Sequence, residues 1–123
     1  MPDQEIVLLI ERLSPLAFNL TVERLSQAIA DAGMRTFAFI DHAGNVKEAG
    51  LSMPASTVLT YGKGAGGTPI MLAYPRAAID FPLHVLVRED SDGQTTISLY
   101  PIAARLEASG VPSALAALLA PGE

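Results

Sequence analysis

The stretch from Leu83 to Tyr100 restricts the fold more than any other part of the chain. Leu83, Val85 and Val87 alternate with His84, Leu86 and Arg88, the two-residue period of a strand with two unlike faces. Glu89 to Gly93 then reads as a turn with Asp92-Gly93 at its tip, where glycine tolerates a left-handed backbone. Thr95 to Tyr100 returns as the second strand. Strands joined this closely must be antiparallel, because a parallel pair needs a crossover of a dozen or more residues. This hairpin therefore favours an α+β architecture over an alternating parallel sheet.

The rest of the chain supplies partners for the hairpin. Ile6 to Ile10 is an unbroken apolar run, predicted to be a strand buried on both faces or covered by a partner, with Ser14-Pro15 ending it. Thr21 to Ala32 is the clearest helix: Val22, Leu25, Ile29 and Ala32 fall on one face. Thr21 is its expected cap, with Glu23 at the positive end of the dipole and Gly33 as the stop. Arg35 to Asp41 is a strand, with Arg35, Phe37, Phe39 and Asp41 expected on one face and Thr36, Ala38 and Ile40 on the other. His42 to Ala49 reads as a short helix capped by Asp41 and stopped at Gly50. Thr57 to Tyr61 is a strand that runs into the glycine-rich loop Gly62 to Pro69, and Ile70 to Tyr74 is a helical turn or two closed by Pro75. The tail from Ile102 to Ala120 is helical in composition, broken at Gly110-Val111-Pro112. Its last piece, SALAALLA, is expected to pack on the sheet or on a second subunit. Five strands are expected in all.

Composition limits what such a domain can do. The 123 residues fit one domain, residues 1–123, and a chain of this size buries roughly two-thirds of its unfolded surface. Half the residues are hydrophobic and 17% are charged, which argues against disorder. There is no cysteine, so disulfides, thiolate metal sites and cysteine nucleophiles are excluded. A net charge of −5 opposes non-specific nucleic-acid binding. No stretch approaches the ~20 apolar residues of a membrane span, and the start lacks the basic residues of a signal peptide. The expectation is a soluble, cytoplasmic domain that binds neither nucleic acid nor membrane.

Three constellations invite a chemical reading. Gly62, Gly64 and Gly67 satisfy G-x-G-x-x-G after a strand, the spacing that lets backbone amides approach a pyrophosphate. The following helix is too short for a crossover, the chain is too short for a doubly wound fold, and Asp80 precedes its strand instead of ending one. A flexible loop is the simpler reading, with Lys63 and free amides holding an anion or small ligand as the other. Asp41-His42 could be a general base with its orienter, provided the backbone turns there; on a continuing strand the two side chains point apart. The plainer reading is the helix cap with His42 exposed beside it. His84 reads as a half-buried strand residue. The two histidines and the carboxylates Asp41, Asp80 and Glu89 lack zinc-ligand spacing, and there is no G-x-S-x-G elbow. No metal and no cofactor is expected.

Taken together, the order Thr21-Val22-Glu23-Arg24-Leu25, Ile40-Asp41-His42-Ala43, Gly50-Leu51, Tyr61-Gly62, Gly67-Thr68-Pro69, Ile79-Asp80, Pro82-Leu83 and Asp92-Gly93 resembles the domain of unknown function 302 family. The resemblance covers Phe18 to Tyr100. It implies a β-α-β(4)-α antiparallel sheet with helices packed on one face, similar to the TATA-binding-protein class, and frequent dimers. It implies no settled activity. The sequence departs from the usual family pattern at Gly62-Lys63-Gly64, where Gly-Asn-Pro is common.

The resulting expectation is a non-enzymatic homodimer that binds a small molecule or a partner. Asp41, His42, Tyr61, Gly62 and Lys63 are its candidate ligand-binding residues. The alternative is an enzyme acting on a small carbonyl or ester compound with His42 as base.

Overall fold

The computed structural model describes residues 9–63 and 65–101. Among these, strand β1 (Ile10–Ser14) leads to helix α1 (Phe18–Asp31), strand β2 (Arg35–Asp41), helix α2 (His42–Glu48) and strand β3 (Ser56–Gly62). Helix α3 (Thr68–Ala73) and a 3-10 helix (Pro75–Asp80) follow, then strands β4 (Leu83–Glu89) and β5 (Thr95–Leu99). The strands form one sheet in the order β1-β5-β4-β3-β2, and every neighbouring pair is antiparallel. The α+β class and the antiparallel sheet match the sequence expectation. The predicted helical tail lies outside the described residues.

The two-residue alternation of the strands decides which residues are covered. Leu59, Tyr61, Val85 and Val87 are buried on one face, and Ile29 of α1 packs among them. Phe18, Val22 and Leu25 of the same helix close over this cluster, with Leu83, Ile97 and Leu99 at its margin. The apolar stripe read from the sequence is thus the face that α1 lays on the sheet. Leu59 and Val87 have no exposed surface at all. Truncating either to alanine is the kind of change that costs about 2–5 kcal/mol in a packed core.

Several local expectations are corrected. The first described strand is Ile10–Ser14, with Glu11, Arg12 and Leu13 exposed, because β1 is an edge strand that pairs with β5 alone; Ile6–Leu8 lie outside the described residues. Helix α1 begins at Phe18, so Thr21 sits inside it and caps nothing, and Glu23 falls beyond the first turn. Thr21 is instead buried, and its hydroxyl meets the Ser14 hydroxyl at 2.7 Å and the Ala17 carbonyl at 2.9 Å. The Leu16 amide donates to Ser14 Oγ at 3.1 Å, which fixes the turn between β1 and α1. Pro75 does not end helical geometry but starts the 3-10 helix, where a missing amide is harmless.

Strand β2 carries the most consequential departure. Its register slips between Thr36 and Ala38, a bulge at Phe37. Arg35 pairs with Gly62 and Thr36 with Tyr61, while Ala38 pairs with Thr60 and Phe39 with Leu59. Paired residues share a face, so Arg35 and Phe39 lie on opposite faces, against the simple alternation. The Arg35 guanidinium stacks 5.8 Å from the Phe37 ring centroid. At Asp92-Gly93 the expected turn forms: Gly93 has a φ of +79°, and Asp90 Oδ1 accepts the amides of Asp92 and Gln94.

The Ser14–Thr21 link gives a direct test of how β1 is held. Thr21→Val keeps the shape and removes the hydroxyl, and is expected to lower stability by about 1 kcal/mol in urea unfolding. Thr21→Ser should retain the link. A Thr21→Val midpoint equal to that of the parent would show that the link contributes nothing.

Candidate functional site

The sheet face away from the buried cluster carries a half-open groove of about 560 Å³. Its floor follows from register. Glu11, Ser98, Leu86 and Val58 stand side by side across β1, β5, β4 and β3. His84 and Arg88 flank Leu86 two residues away on β4, and so share its face. Leu9 and Tyr100 extend the floor, and Ile79 and Asp80 of the 3-10 helix wall one side. The small Ser98 side chain, nearly buried between larger neighbours, leaves the depression.

Three polar groups of the groove meet at one place, while His84 and Asp80 lie elsewhere in its lining. Ser98 Oγ donates to Glu11 Oε2 at 2.8 Å, and Arg88 Nη2 lies 3.8 Å from that same oxygen. Both charged side chains stay substantially exposed, at 39% for Arg88 and 46% for Glu11, so this pair contributes little to stability. Its interest is positional: a guanidinium and a carboxylate stand at the lip of an apolar floor.

The structure divides the residues singled out in the sequence. Asp41 and His42 lie where β2 passes into α2, and Asp41 pairs with Thr57 at the start of β3. Tyr61, Gly62 and Lys63 lie at the other end of β3. Four or five strand residues separate the two sets, about 15 Å along the sheet. Asp41 Oδ1 accepts the Gly44 amide at 2.9 Å and caps α2, as its sequence position suggested. His42 is exposed in the first turn, and among the described residues no hydrogen bond joins it to Asp41. A side chain at Gly44 would collide with the Asp41 carboxylate, so this cap depends on glycine three residues on. Lys63 is exposed, its Cε 3.5 Å from where a Cβ on Gly33 would stand. Of the five candidates, Tyr61 borders the groove, while being buried in the core on the α1 face. Glu11, Ser98 and Arg88 were not singled out; their meeting depends on β1 pairing with β5 across 87 residues, for which the sequence holds no local signal.

Comparison with known proteins now bears on the chain as a whole. Residues 10–120 match the Domain of unknown function DUF302. The chain belongs to this family. The crystal structure of an uncharacterized conserved DUF302 protein from Bacillus stearothermophilus superposes with a TM-score of 0.83 at 15% identity, covering 93% of this chain and 91% of that one. That likeness establishes the fold. Fluoride-specific ion channel FluC 1 of Brucella suis biovar 1 is 30% identical over 79 residues, 64% of this chain and 31% of that protein. FluC 2 of Brucella melitensis biotype 1 is also 30% identical over 79 residues, covering 29% of its own length. The chain thus spans about a third of the length of these curated relatives.

In this DUF302 domain the glycine-rich loop has a packing explanation at its last glycine. Gly67 is buried, and a Cβ there would stand 2.8 to 3.0 Å from the Phe81 ring. The helix that follows, α3, has six residues, too few for the crossover of a dinucleotide fold. Gly64 lies outside the described residues. Among the described residues no group of three His, Asp or Glu side chains could hold a metal ion.

Gly67→Ala is therefore expected to destabilise the domain by about 1–3 kcal/mol through overpacking. Adding Phe81→Leu, which gives the new methyl room, should recover part of that loss relative to Phe81→Leu alone. Equal melting temperatures for Gly67→Ala and the parent would remove the packing explanation.

Proposed function

We propose that this DUF302 domain is a non-enzymatic binding module that takes a small, largely apolar molecule in the groove beside Tyr61 and works as a homodimer. The observation that carries the reading is the groove itself: about 560 Å³ of recess whose lining mixes apolar side chains such as Val58 and Leu86 with a few polar ones, Glu11, Arg88 and Ser98 meeting at one point. Small-molecule sites have this composition, with apolar side chains supplying contact area and placed polar groups fixing orientation. A general base at His42 would need Asp41 to orient it, and Asp41 is engaged in the α2 cap.

The likeness to part of two Brucella fluoride channels supports a module that can be joined to other proteins. No helix among the described residues is long and apolar enough to cross a membrane. Self-association is supported by edge strand β2, where Phe37 and Phe39 are about half exposed. Light scattering that returns a monomer mass would remove the homodimer.

The groove is tested by a thermal-shift screen with small apolar metabolites. A binder should raise the melting temperature of the parent. His84→Trp places a large ring over the floor from an exposed position and should suppress the shift, whereas His42→Ala should leave it intact. The opposite pattern would move the site to the Asp41–His42 end of the sheet.

A further inference from the structure

The groove reading does not say what chemistry its ligand carries, and the lip answers that. Glu11 and Arg88 bear opposite charges, and both are open to solvent while facing one apolar recess. Their mutual contact is loose: one Arg88 nitrogen at 3.8 Å from one Glu11 oxygen, longer than a charge-assisted hydrogen bond. Ser98 donates to that same oxygen, Oε2, so both contacts fall on one side of the carboxylate. With Arg88 39% and Glu11 46% exposed, both side chains keep surface open to solvent beside these contacts. A guanidinium has five donors and a carboxylate about four acceptor positions, so neither group is saturated by what it touches.

A ligand with one charge would satisfy one member of this pair and be repelled by the other. A ligand with both charged groups attached to one carbon satisfies both. Leu86 and Val58 lie in the same cross-strand row as Glu11 and Ser98, next to the charges on the floor. We propose that the groove binds zwitterionic α-amino acids with apolar side chains. The ammonium is held by Glu11, the carboxylate by Arg88, and the side chain lies on Leu86 and Val58. The ion pair opens to admit both head-group charges, at small cost because an exposed pair of this kind contributes little on its own. Ser98 keeps Glu11 aimed along the floor while this happens.

This proposal rests on the groove reading, and one set of titrations separates the two. Calorimetric titration of the full chain compares L-phenylalanine with 3-phenylpropanoate, which lacks the ammonium, and with phenethylamine, which lacks the carboxylate. N-phenyl-1-naphthylamine, a neutral fluorescent probe, reports occupancy of the apolar floor. Phenylalanine should bind at least about tenfold more tightly than either analogue, the effect of one hydrogen bond to a charged group. Arg88→Gln should reduce phenylalanine to the affinity of phenethylamine, and Glu11→Gln to that of 3-phenylpropanoate. Both positions are exposed enough for the variants to fold, which circular dichroism checks. Should the neutral probe bind the parent and lose binding in His84→Trp while phenylalanine gains nothing over its analogues, the groove stands and the amino-acid assignment falls. Failure of the neutral probe and of phenylalanine alike would overturn the groove as well.

Discussion

Everything else in this domain depends on how helix α1 is seated on the sheet. Ile29, with Phe18, Val22 and Leu25 beside it, closes over Leu59, Tyr61, Val85 and Val87. Each fully buried side chain of this kind contributes about 1.5–3 kcal/mol relative to exposure. Because strand side chains alternate, committing one set of residues to that core sends the other set to the opposite face. The groove is a consequence: Val58, His84, Leu86, Arg88 and Ser98 face it because their neighbours in the chain face α1. A one-residue slip in β3 or β4 would destroy core and groove together.

The edges of the sheet show how the fold limits that alternation. In the centre, β3, β4 and β5 keep strict register. At the β2 edge, one extra residue at Phe37 turns Arg35 and Phe39 to opposite faces. A bulge bends and twists an edge, which makes it a poorer template for unlimited strand addition. At the other edge, β1 is held by backbone pairing with β5 and by the buried Ser14–Thr21 hydroxyl contact.

Much of this was legible in the residues. The β4–β5 hairpin was readable because Leu83, Val85 and Val87 alternate strictly and Asp92-Gly93 marks the tip. The α1 stripe, the Gly33 stop and the Asp41 cap were readable because each rests on contacts within a few residues. What escaped was non-local or had no sequence punctuation. Thr21 looks like a cap until Ser14 is known to lie beside it. The bulge at Phe37 has no glycine or proline to announce it. The last glycine of the loop resembles part of a phosphate-binding motif, yet it is pressed against Phe81, fourteen residues on. The candidate site was least legible, because Asp41-His42 and Tyr61-Gly62 both sit at strand ends while antiparallel pairing holds them at opposite ends of β3.

The proposed function therefore turns on the open sheet face and not on the β2–α2 junction. Backbone amide NMR of the labelled chain during titration with an apolar amino acid tests that most directly. The account predicts shifts concentrated at His84, Leu86, Arg88 and Ser98, with the amides from Asp41 to Val46 unmoved. Shifts confined to Asp41–Val46, with β4 and β5 silent, would contradict it.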